Sequence, residues 1–220
     1  METLDEYPDI PPLDIEALGT LDEALERADE MGTHYARIAE NIIGQFESFA
    51  LTPLSMAWLS LVARFQGLHD GIGREIRAEN PHAVYPLLRS FIETVAMIIY
   101  LADHPDYVMT LHQPRQERTG RRVTARTLVD YATPRMPGID PIYKQLSQVT
   151  HFDTIAYTLP FKVTDMAERN MDWQSHPTWK KDRDALVACG WIIELAEASH
   201  HLLVEYAAQH LSEHDENSER

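Results

Sequence analysis

Five polar residues in two short segments have types and spacings that suit chemistry. Arg89 and Glu93 stand in Leu87-Leu88-Arg89-Ser90-Phe91-Ile92-Glu93-Thr94, and Tyr143, Ser147 and His151 in Tyr143-Lys144-Gln145-Leu146-Ser147-Gln148-Val149-Thr150-His151. Arg89 and Glu93 are four residues apart, so on a helix they share a face and can pair. They lie opposite the apolar stripe Leu87, Phe91, Val95 and Ile98, and their own face continues into Ala96, Met97 and Tyr100. That is no solvated face, and the pair is expected to be at least partly buried. A buried arginine without a partner costs about 3–5 kcal/mol, so Arg89 must be paired. Two roles fit: an ion pair tying helices together, or a guanidinium oriented by Glu93 to receive a small anion. Tyr143, Ser147 and His151 repeat at the same four-residue spacing, with Ile142, Leu146 and Val149 on the other side. An imidazole can act as general acid or base near neutrality, and a serine in contact with it can be a nucleophile. The alternative is a hydrogen-bonded cluster that ends the helix and anchors the next loop. His151, Ser147 and Tyr143 are therefore the catalytic candidates; Arg89, Glu93, Tyr143, Ser147 and His151 are the ligand-binding candidates.

The pattern Leu87-Leu88-Arg89-x-x-x-Glu93 followed by Tyr143-x-x-Leu146-Ser147-x-x-x-His151 resembles a broad family of uncharacterised bacterial helical proteins. The resemblance covers roughly residues 50 to 155. It implies an all-α fold and a special status for the five residues, and it implies no particular activity. A second, more distant similarity is to helical ribonucleases of the higher-eukaryote-and-prokaryote nucleotide-binding (HEPN) type, in which arginine and histidine are separated by four to six residues. Arg64 and His69 fit that spacing, but so do Arg27 and His34, Arg77 and His82, and Arg169 and His176. Chance at this composition yields about two such pairs, so the spacing says little.

Charge narrows the partners. The 220 residues hold 35 acidic against 19 basic side chains, a formal net charge of −16. Binding along a phosphate backbone or to an anionic membrane needs the opposite balance. Arg115, Arg118, Arg121, Arg122 and Arg126 run against this trend and are the natural nucleic-acid contact, if there is one, although a solvated loop explains them as simply. No cofactor and no metal are expected. Glu197-Ala198-Ser199-His200 has the form of a di-iron helix motif, but that site needs a second copy and two more glutamates, and Glu79-Asn80-Pro81-His82 straddles a helix start. Cys189 alone excludes an intrachain disulfide or a cysteine zinc cluster. It falls on an apolar stripe and is expected to be inert. The acidic start Met1-Glu2-Thr3-Leu4-Asp5-Glu6 has no signal-peptide form. With no apolar run of about 20 residues, a cytoplasmic protein without a membrane span is expected.

The elements that must position these residues are helices. Residues 1–19, with Pro8, Pro11 and Pro12, read as an acidic extended arm, 20–211 as one domain, and 212–220 as a polar tail. Thr20-Leu21-Asp22-Glu23 is a capping box opening a helix to about Phe49. Thr52-Pro53 starts a second, in which Gly67 and Gly71 admit close backbone approach, and Asn80-Pro81 starts a third, bent by Pro86. The third is apolar all round from Thr94 to Ala102, the mark of a central helix. Short helices follow from 105, near 122–132, and from Asp140 to about Val149. Residues 152–175 read as an irregular excursion with an extended piece at Ile155–Leu159. A final amphipathic helix runs from Pro177 to about Leu211, and helices of this kind often self-associate. Trp58, Trp173, Trp179 and Trp191 read as core or loop anchors. The fold class is an all-α helical bundle of four long helices plus two or three short ones, with no convincing sheet.

Overall fold

The computed structural model describes residues 14–46, 49–113, 122–151, 154–176 and 178–211. Four long helices make the bundle: α1 (Leu21–Ile43), α2 (Pro53–Arg77), α3 (Pro81–Asp103) and α8 (Asp182–His210). Four shorter helices lie between α3 and α8: α4 (Tyr107–His112), α5 (Ala125–Ala132), α6 (Ile139–Thr150) and α7 (Thr154–Thr158). α1 packs on α2 and α8; α3 packs on the same two helices and is covered in turn by α5 and α6.

Local sequence sets the helix starts. Thr20 caps α1: its hydroxyl accepts from the Glu23 backbone N–H at 3.3 Å, and the Glu23 carboxylate accepts from the Thr20 N–H at 2.7 Å. Thr52 and Ser55 form the same reciprocal pair at the start of α2, with Pro53 in the first turn. Such caps satisfy backbone donors that a helix leaves unpaired at its N-terminus. α3 runs unbroken through Pro86, which offers no N–H to the carbonyl one turn back.

Packing explains why α3 is so largely apolar. Val84, Leu88, Phe91, Val95, Ala96 and Ile98 are fully buried between α2, α8 and the short helices. It is the described helix whose length and hydropathy would suffice to cross a bilayer, and 56% of that stretch is buried inside the bundle. Trp58 anchors α2 to α8 by donating from its indole N–H to the Leu203 carbonyl at 2.9 Å.

Several boundaries differ from the sequence expectation. α1 stops at Ile43, where Gly44 follows; Phe46 and Phe49 lie beyond the helix and meet edge to face at 5.5 Å. The arm is not extended up to residue 19: a 3-10 turn spans Glu16–Leu18 and Leu18 packs into the core. The extended piece is displaced. Residues expected to be extended fall in α7, and the chain then forms an antiparallel hairpin of β1 (Phe161–Asp165) and β2 (Asn170–Trp173). Each strand alternates apolar and polar over only four or five residues, too short a run to distinguish from a loop. α8 starts at Asp182 rather than at Pro177. Trp173 is 67% exposed on β2, so it is not a core residue. The tail 212–220 lies outside the described residues.

Glycine contacts are distributed differently as well. A Cβ at Gly71 would meet Leu87 Cδ1 at 3.6 Å, an ordinary contact, whereas one at Gly67 would meet open space. The tight approach is at Gly32 on α1, where a Cβ would sit 2.9 Å from His69 Nδ1 and 3.0 Å from its Cε1. Gly32→Ala is therefore expected to destabilise the protein by about 1–3 kcal/mol, the usual effect of overpacking. Gly67→Ala, in an exposed helix interior, is expected to add about 0.5–1 kcal/mol. Urea unfolding of the two variants checks both signs at once.

Candidate functional site

α3, α6 and the residue just past the end of α6 bring four of the five candidate residues into one hydrogen-bonded centre on Arg89. Arg89 Nε donates to Glu93 Oε1 at 3.1 Å. Nη2 donates to the Tyr143 hydroxyl at 3.2 Å, which donates in turn to Glu93 Oε1 at 3.2 Å. The guanidinium carbon lies 5.2 Å from the centre of the Tyr143 ring, within cation–π range. Nη1 meets His151 Nε2 at 3.1 Å. A guanidinium has only donors, so Nε2 is the accepting nitrogen and the ring proton belongs on Nδ1. Tyr143 is buried and His151 exposed, while the side chains of Arg89 and Glu93 retain 16% and 29% of their surface. The centre thus runs from the core to the solvent.

Arg89 carries five N–H groups. The described residues engage three of them, leaving one on each terminal nitrogen. Two N–H groups on adjacent nitrogens match the paired oxygens of a carboxylate or phosphate.

Ser147 does not join the centre. Its hydroxyl donates to the Tyr143 carbonyl at 2.7 Å, a bond back along its own helix. Among the described residues no hydrogen bond links it to His151, and the His151 Nε2 lone pair is engaged by the guanidinium. A Ser–His nucleophile is therefore not assembled.

One turn before Arg89, on the same side of α3, Tyr85 meets the Trp179 ring edge-on at 5.8 Å. The Trp179 indole N–H is buried without a partner. Beside it in sequence, Lys180 donates to the Thr158 carbonyl at 2.9 Å, and burial lowers its pKa against the opposing charge of Asp184. Trp179 and Lys180 stand in an aperiodic stretch, and nothing in the sequence indicated that Trp179 would return to α3 or Lys180 to the end of α7.

The arginine-rich candidates divide. Arg115, Arg118 and Arg121 lie outside the described residues. Arg122 is exposed. Arg126 is paired with Asp130 and, at 2.7 Å, with Asp140, which also holds Lys144 at 2.7 Å. Burial works against the Asp140 charge, but Lys144 and Arg126 hold its carboxyl below the usual range. The Arg126 charge is thus answered within the protein.

The HEPN-type pair is also separated. Arg64 donates from Nε to Thr94 on α3 at 3.0 Å, whereas His69, only 2% exposed, points toward α1. Five residues along a helix amount to about 140° around its axis, which explains the divergence. Glu197 is exposed, and no group of three metal-ligating side chains forms among the described residues. Cys189 is fully buried and its thiol is pushed up to about 12 by burial.

A second polar cluster, built from residues far apart in the sequence, lies where α1, α2 and α8 meet. The Tyr35 hydroxyl and Ser199 hydroxyl are 2.7 Å apart. The Tyr35 ring meets His200 at 4.5 Å and His69 at 6.0 Å, and His34 meets His200 at 5.3 Å. Nε2 of both His69 and His200 is buried without a partner. Burial lowers the His200 pKa to about 4, helped by His34, His69 and His201; burial also lowers His69, against the opposing charges of Asp70 and Asp29.

This cluster predicts a pH dependence. Both histidines bind a proton in the unfolded chain as pH falls through about 6.5, their ordinary range, while folded His200 stays neutral until about 4. The unfolded state then holds more protons, so the stability these groups contribute is complete above about 6.5 and is lost between there and about 4. Thermal unfolding is expected to show a falling Tm from pH 7 to 4.5. His200→Gln is expected to flatten that slope; an unchanged slope would refute the assignment.

Compared with known proteins, the sequence matches no family model, no curated protein and no solved structure.

Proposed function

We propose that the chain is a non-enzymatic binding or regulatory module that takes a small anion on Arg89. The observation that carries this reading is the state of the guanidinium. It is fixed by Glu93, Tyr143 and His151, and it keeps one N–H on each terminal nitrogen with no partner among the described residues. A cation held in one orientation before the ligand arrives loses little further entropy on binding. His151 stands at the exposed rim, where its Nε2 helps hold the guanidinium in place. Glu93 cancels most of the charge of Arg89, so the site suits a small ligand bound by directed hydrogen bonds rather than a polyanion bound by charge. The ribonuclease alternative draws no support from Arg64 and His69, which face different helices. A cytoplasmic setting suits the lone buried Cys189, and a bacterial source is what the family resemblance suggests.

Inorganic phosphate is the probe, compared with chloride at equal ionic strength. At ten times its dissociation constant, phosphate is expected to raise the unfolding free energy by about 1.4 kcal/mol. Arg89→Met is expected to abolish that increment. His151→Ala, at an exposed position, is expected to weaken it and serves where Arg89→Met does not fold. No increment in the natural protein, or an undiminished one in Arg89→Met, would refute the reading. An Arg89→Met protein as stable as the natural one would also exclude a purely structural role for the centre.

A further inference from the structure

The hairpin leaves an apolar strip uncovered. Phe161 pairs with Trp173 and Val163 with Met171 across the two strands. Direct cross-strand partners and residues two apart share a face, so these four side chains form one strip. Lys162 and Asp172, paired with each other, occupy the opposite face. Val163, Met171 and Trp173 are 48%, 61% and 67% exposed, and Met166 at the turn is 81% exposed. The whole of β2 and all of β1 after Phe161 are exposed, so the hairpin stands clear of the bundle. A two-stranded sheet is marginal at best by itself in water and needs a second layer against its apolar face.

We infer that this strip is a self-association surface, on which the hairpins of two copies pack face to face across a two-fold axis. The inference is independent of the anion reading. Three observations carry it. The first is shape: a two-fold axis supplies the missing layer from an identical strip, with no other component. The second is charge. The chain carries a net −16, so two copies repel over most of their surface. The hairpin is nearly balanced, with Lys162 and Arg169 against Asp165, Glu168 and Asp172, so copies meet there with least repulsion. The same balance disfavours an anionic membrane, which requires clustered cations. The third is area. Trp173 exposes roughly 150 Å² by the size of its side chain, and the strip with Met166 roughly 500 Å². Two strips bury at most about 1,000 Å², below the standard size of stable interfaces and in the range of weak, transient ones, so the dimer is expected to be reversible.

Sedimentation velocity of the full chain, from about 1 to 200 µM, tests this. The expected result is a monomer–dimer equilibrium that Met171→Thr/Trp173→Ser weakens at least tenfold, with an unchanged helical circular dichroism spectrum. Met171→Cys provides a second readout that keeps most of the strip. Mild copper–phenanthroline oxidation is expected to cross-link it into a disulfide dimer, because Met171 and Val163 form the middle rung that face-to-face packing brings closest to its copy, whereas buried Cys189 leaves the natural chain uncross-linked; no cross-link at concentrations where the dimer forms would place the interface elsewhere. A natural protein that stays monomeric throughout would overturn the inference. So would a dimer that the double variant leaves intact, which places the interface elsewhere. Cosedimentation of a monomer with phosphatidylcholine–phosphatidylglycerol vesicles, lost in the double variant, would assign the strip to a membrane surface and overturn it too.

Discussion

A helix packed against four others has only a narrow edge near solvent on which to carry a charge. α3 is that helix: α2, α8, α5 and α6 all pack against it. The arrangement around its polar residues follows from this constraint. Thr94, 3% exposed, returns its hydroxyl to the Ser90 carbonyl at 2.7 Å and accepts from Arg64. Arg89 has no comparable local solution, because a guanidinium needs several acceptors. Glu93 supplies one from the same helix, and the others must come from a neighbour. α6 supplies Tyr143 and, just past its end, His151. The short helix is therefore docked by directed bonds as well as by the burial of Ile139, Leu146 and Val149.

The contrast with the second cluster is instructive. Tyr35, His69, Ser199 and His200 also lie between helices, but they include no permanent charge. Their groups are accommodated as neutral species, and burial opposes protonation of the imidazoles. Gly32 gives His69 the room it needs, since any Cβ there would press on the ring. The Arg89 centre solves desolvation by pairing, the His200 cluster by neutrality. Only the first offers a permanent cation with donors near solvent.

How much of this was legible in the sequence depended on the range of the interaction. Helix starts at Thr20 and Thr52 were readable because a cap is decided within four residues. The central position of α3 was readable from an unbroken apolar run. The Arg89–Glu93 pair followed from spacing, and burial on that face implied further partners. Which partners they were followed only in part: Tyr143 and His151 shared an edge with Ser147, but spacing could not show that Ser147 satisfies itself on its own helix. The His69–Tyr35–His200 meeting was illegible, because three helices distant in sequence contribute to it. The hairpin was missed for a different reason. Strands of four or five residues give too few repeats of a two-residue period to register against an irregular background.

The physics of ion pairs also separates the two readings of the Arg89 centre. As a device for stability, a half-buried Arg–Glu pair is a poor choice. Apolar residues of similar volume at such positions are often as stabilising or more so, because no charge must be desolvated. The surroundings already favour them: Leu88, Phe91 and Ile92 on α3 pack without any polar group. A purely structural tie would also use the donors it carries, since each unpaired N–H near the interior has a cost of its own. At Arg89 one N–H on each terminal nitrogen is left without a partner among the described residues, and the centre opens to solvent at His151 rather than closing inside. On a fixed cation at an exposed rim, N–H groups without a partner among the described residues are what an incoming anion would complete, and a tie between two helices does not require them.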